Sequence, residues 1–125
     1  MINKKRVQLL VDELRTTKLR RGSCAMHTIC DNGGSERFCP LGIACEVARK
    51  HRCKVKIREP EEDSIEVLYD GRTLFMPESV REWYGFDEDN PLLDDDENRV
   101  TYYNDQLNVS FKQMARLIER RYLGK

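Results

Sequence analysis

No stretch of this 125-residue sequence approaches the roughly 20 consecutive apolar residues that a helix needs to cross a bilayer, so no membrane segment is expected. No export signal is expected either: Asp12 and Glu13 interrupt the short apolar run that follows Lys4, Lys5 and Arg6, and the expected location is the cytoplasm. Neither sign of charge is in excess, 22 basic against 22 acidic side chains, whereas a dedicated nucleic-acid module carries a basic surplus. There is no glycine loop of the phosphate-cradling kind, no G-x-S-x-G elbow and no H-E-x-x-H helix, which removes the major enzyme signatures. No repeat, low-complexity tract or Pro/Gly/Ser-rich linker divides the chain. Residues 1–125 therefore read as a single compact domain, long enough for a modest core without staples.

What is present begins with five cysteines, an odd number that disfavours a disulfide framework in a reducing compartment. Cys24, His27, Cys30 and Cys39 form a C-x2-H-x2-C-x8-C series, and three sulfurs with one nitrogen suit a tetrahedral zinc ion. The spacing matches no common zinc module. The competing reading is buried free thiols with no cofactor, because free cysteine is among the most buried residue types. In "RFCPLGIACEVARKH", Cys39 stands just before a helix start, where exposed N–H groups would lower its pKa and favour a thiolate nucleophile. A base would have to be His27 or His51, neither with a recognisable orienting partner. The alternative is that Cys39 and Cys45 pack the second helix onto a sheet.

Val7, Leu10, Val11 and Leu14 repeat at helical spacing and predict a first helix over about Lys4 to Thr16. An irregular loop follows, with a turn at Asn32-Gly33. Pro40 suits the first position of a second helix whose inner face carries Leu41, Ala44, Val47 and Ala48. "CKVKI" and "SIEVLYDGRTLF" read as strands, with a hairpin around Asp70-Gly71. "MPESVREWYGF" predicts a short helix from Pro77, closed by Gly85, with Val80, Trp83 and Tyr84 on one face and Trp83 in the core. Val100 to Tyr103 suggests a short strand. Ser110 and Gln113 have the form of a capping box for a final helix that buries Phe111, Met114, Ala115, Ile118 and Tyr122 and ends at Gly124. The expected class is α+β, a small antiparallel sheet packed with three to four helices.

Charge is unevenly placed along the chain. The N-terminal segment carries Lys4, Lys5, Arg6, Arg15, Lys18, Arg20 and Arg21, while "FDEDNPLLDDDEN" contains Asp87, Glu88, Asp89, Asp94, Asp95, Asp96 and Glu97. Seven carboxylates in eleven residues cannot be buried together, so an exposed acidic loop is expected as a binding surface. Asp94, Asp96, Asn98 and Asp105 also fall at positions 1, 3, 5 and 12 of a calcium-loop template, but Arg99 stands where that loop requires glycine.

Three segments carry a resemblance: Cys39, Leu41, Gly42, Ile43 and Cys45; Pro77, Val80, Trp83 and Gly85; and Asn104, Asp105, Ser110, Phe111, Met114, Ala115 and Ile118. Their order and spacing resemble a family of small uncharacterised proteins of bacteriophages, prophages and some bacteria, over most of the chain. Pro40 stands where members often have a second cysteine, and Cys24, His27 and Cys30 have no usual counterpart. The resemblance implies a compact domain of phage or prophage origin and brings no activity with it. The expected function is a non-enzymatic accessory protein that binds a host protein through the acidic surface. The alternative partner is nucleic acid, engaged by the basic N-terminal helix.

Overall fold

The computed structural model describes residues 1–30 and 35–125, and the turn expected at Asn32-Gly33 lies outside them. The chain is an α+β domain, the class its patterning predicts, but among the described residues it has five α-helices and two small antiparallel sheets where three to four helices and one sheet were expected. Helix α1 (Lys4–Thr16) is capped by the Asn3 side chain, which accepts from the Arg6 N–H, and buries Val7, Leu10, Val11 and Leu14. Helix α2 (Pro40–Lys50) starts with proline at its first turn and is buried along most of its length. Helix α3 (Glu78–Tyr84) closes on Gly85, whose φ of +84° is left-handed. Helix α5 (Phe111–Ile118) has the complete Ser110–Gln113 capping box and runs into a π-helical turn over Glu119–Leu123, closed by Gly124. The core lies where α1 packs on α2 and α5, with Met26, Tyr69, Met76, Tyr84 and Met114 at its centre.

The strands are shorter than their sequences suggest. β1 (His27–Ile29) pairs antiparallel with β2 (Glu36–Phe38), and β3 (Ile57–Arg58) with β4 (Leu68–Tyr69). Single bridges tie these ribbons into a wider surface. Phe38 donates to Arg20 O and accepts from Gly22 N, while Ile29 donates to Ile65 O and His27 O accepts from Val67 N. The Asp70-Gly71 turn forms, with φ of +50° and +81°, but its ladder is the single pair Tyr69–Arg72. Beyond Arg72 the chain leaves to receive the Met26 N–H at Thr73 O, so β4 pairs with β3 and not with the expected second arm.

Two further expectations are corrected. Val100 to Tyr103 is helical, within α4 (Val100–Asp105), because Val100 and Asn104, four residues apart, turn the same face into the core. Strand propensity yields here to burial. Trp83 is half-buried, with Arg6 lying 4.5 Å from its ring centroid, and the fully buried aromatic of α3 is Tyr84, whose hydroxyl donates to Ala44 O at 2.7 Å. Val80 and Ile118 are in the core as expected, whereas Phe111 sits at its margin.

Candidate functional site

The four residues of the zinc series are dispersed in character. Cys24 is exposed, Cys30 half-buried, and Cys39 buried. His27 is buried with both ring nitrogens engaged: Nε2 lies 2.7 Å from Glu36 Oε2, and Nδ1 lies 2.8 Å from Tyr69 Oη. Its ring stacks on Phe38 at 3.9 Å between centroids. The Tyr69 hydroxyl has one proton, and it goes to Glu46 Oε2 at 2.6 Å, which makes His27 Nδ1 the donor to Tyr69. A ring held on both sides in this way is a structural strut between β2, β4 and α2. Among the described residues no three His, Cys, Asp or Glu side chains are placed to hold a metal ion.

Of the two readings of Cys39, the surroundings of its sulfur favour packing over a thiolate. Backbone N–H groups of Gly42 and Leu41 do approach its sulfur and favour the thiolate, but complete burial outweighs them and pushes the thiol up to about 12. Cys45, packed with its thiol 3.8 Å from Met26 Sδ, is raised well above the ordinary thiol range, again by burial. Both therefore pack α2, which is the structural alternative. Alkylation of the folded protein at mildly alkaline pH is expected to reach Cys24 first and leave Cys39 and Cys45 unmodified until denaturant is added, as read by peptide mass spectrometry.

The acidic segment is where the surface is most distinctive. Residues 59–97 hold fifteen of the 22 carboxylates and two of the 22 basic side chains. Folding neutralises part of this charge. Asp89 pairs with Arg72 at 2.9 Å, Asp95 with Arg121 at 2.8 Å, and Glu88 with Arg99. Asp94 accepts from the Tyr103 hydroxyl at 2.6 Å, from the Asn98 side chain, and from the N–H groups of Asp96 and Asn98. Those donors, Tyr103 first, hold its carboxyl down to about 2. Asp94 is thus the staple of its own loop, and Asp105 is committed elsewhere, accepting from the Cys24 N–H and Asn104 Nδ2. The calcium-loop reading fails on this account. Glu88, Asp89 and Asp94 are half-buried, against the expectation of a uniformly exposed loop, while Asp87, Asp95, Asp96 and Glu97 are exposed.

Beside this segment lies an open cleft of about 760 Å³, lined by Arg72, Phe75, Met76, Glu78, Arg81, Asp87, Glu88, Asp89, Asn90 and Arg99. Its arginines are already held, Arg72 by Asp89, Arg81 by Phe86 O at 2.9 Å, and Arg99 by Asn90 O at 2.9 Å. Among the described residues Asp87, Asp96 and Glu97 carry no ion pair, and Glu78 at the rim has only a 3.9 Å approach from Arg81. The sequence pattern located the carboxylates but not their partners: Arg72 and Arg121 come from other segments, and Arg99, just past the acidic run, reaches back to Glu88.

No helix among the described residues is long and apolar enough to cross a membrane. No curated protein and no solved structure matches the chain. A family model described as "Domain of unknown function (DUF8296)" matches residues 4–122, from the first turn of α1 to the π turn after α5, and the chain belongs to that family.

Proposed function

We propose that this protein is a non-enzymatic accessory protein of phage or prophage origin that docks in the cytoplasm on a basic surface of a host protein. The observation that carries this reading is the set of unpaired carboxylates at Asp87, Asp96 and Glu97, presented on a loop that the Asp94 staple and three arginine pairs fix in place. A rigid acidic edge loses little conformational freedom on binding and accelerates encounters with a cationic partner. With Glu78, Asp87 faces the cleft, which offers a lysine or arginine of the partner a place to enter. The phage and prophage part of the proposal rests on the family resemblance alone.

The test is capture of a partner by the tagged protein from nuclease-treated bacterial lysate, followed by affinity measurements on the Asp87→Asn/Asp96→Asn/Glu97→Gln variant. Asp94 is left intact because removing it would loosen the loop. Association is expected to slow by about tenfold at low salt, with a smaller difference at high salt, and with thermal unfolding unchanged. Binding that ignores both the variant and the salt overturns the reading.

A further inference from the structure

A second charged surface lies on the two-helix layer, and half of it comes from the C-terminal part of the chain. Helices α1 and α5 pack side by side, and across their seam Arg15 pairs with Glu119 while Lys125 Nζ donates to Gln8 Oε1. Lys4, Gln8 and Arg15 fall on one stripe of α1, and Lys112 and Arg116 on a stripe of α5 that Glu119 continues at the start of the π turn. These two cross-links make the stripes neighbours on one outer face. Lys4, Lys5, Lys112, Arg116 and Arg120 are exposed there and, among the described residues, pair with no carboxylate. The acids on the face are Asp12, which accepts from Gln8 Nε2, and Glu119, already paired. Of the other cations of the N-terminal segment, Arg6 donates to Trp83 O and Arg21 to Asn104, while Lys18 and Arg20 are exposed beyond the end of α1.

From this arrangement we infer that the α1–α5 face binds the phosphate backbone of double-stranded nucleic acid, independently of the acidic edge. The thirteen residues of α1 run about 20 Å, the length of roughly six phosphates of one strand. None of the exposed large apolar side chains lies on α1 or α5. The face therefore offers neither an apolar anchor for a protein partner nor an apolar wedge for a membrane surface. A row of long, unpaired cations without either matches a uniform line of negative charge. Contacts of this kind to the phosphates carry no base-sequence information.

The experiment is fluorescence anisotropy of a labelled random-sequence duplex titrated with the full chain over a salt series. Binding is expected at low salt, weakening steeply as salt rises through release of counterions. The Lys112→Glu/Arg116→Glu variant should bind at least about tenfold more weakly at low salt, with an unchanged circular dichroism spectrum and thermal transition. The Asp96→Asn/Glu97→Gln variant, altered only at the acidic edge, should bind as well as the parent or better. Absence of binding at low salt, binding that survives the charge reversal in a folded variant, or binding to phosphatidylserine vesicles without binding to duplex would each overturn the inference.

Discussion

Gly42→Ala is expected to destabilise the domain by about 3 kcal/mol, a large share of the roughly 5–15 kcal/mol that holds a domain together. A Cβ at residue 42 would lie 2.0 Å from Met26 O and 2.8 Å from Met26 C, inside any permissible contact. Neither side can give way cheaply. Met26 O accepts from the Cys39 N–H at 3.0 Å, Met26 N donates to Thr73 O at 2.8 Å, and α2 is buried against α1 on its other side. The methyl group would have to push α2 off the segment that leads into β1. The urea midpoint should fall with an unchanged slope. Gly71→Asn is the control: that residue has φ of +81° and open space around it, and asparagine is among the side chains that best bear this conformation, so its midpoint should fall far less.

The second large effect is at Tyr84. Tyr84→Ala should cost about 4 kcal/mol, since the ring is fully buried against Trp83 and Phe86 and its hydroxyl satisfies Ala44 O. Tyr84→Phe keeps the ring and gives up only the hydrogen bond, for about 1 kcal/mol. Trp83→Ala, next to it, is expected to cost less than Tyr84→Ala because one side of the indole is covered by Arg6 and not by core. Chemical denaturation of the three variants ranks them. An order with Trp83→Ala first would restore the packing that the helical spacing suggested.

That reversal marks where the sequence stops being informative. Helical spacing placed Val80, Trp83 and Tyr84 on one side of α3, and it cannot say which of two adjacent aromatics is turned further inward. The choice is made by α1, whose Asn3 N–H donates to Tyr84 O and whose Arg6 reaches over Trp83. The clearer helices were legible because their signals are local: the Ser110–Gln113 box, Pro40 at a first turn and Gly85 in a left-handed closure each need only a few residues. Of the sheets, the Asp70-Gly71 turn and the rough place of β3 and β4 were legible, and the pairings were not. Strands of two or three residues held by single bridges leave too short an alternation to read, and the pairing of Thr28 with Glu66 depends on contacts far apart in the chain.

The same limit applies to the site. An acidic run is visible in any reading of residues 87–97, but whether a given carboxylate is available depends on Arg72, Arg99 and Arg121, and on the hydroxyl of Tyr103. His27 was ambiguous for a like reason. Its fate is set by Glu36 and Tyr69, one nine and the other 42 residues away.

The contact between α1 and α5 has a further consequence, for synthesis of the chain. Arg15 and Glu119 are 104 residues apart, so at about 5–20 residues per second the ribosome takes roughly 5–20 s to deliver the second helix after the first. Throughout that interval the apolar stripe of Val7, Leu10, Val11 and Leu14 waits without the helix that covers one side of it. The nascent chain is therefore sticky at α1 until translation has passed α5, and a holdase chaperone has a ready target there. Shortening the chain before Phe111 turns that passing exposure into a permanent one, and such truncated products are expected to appear in the insoluble fraction.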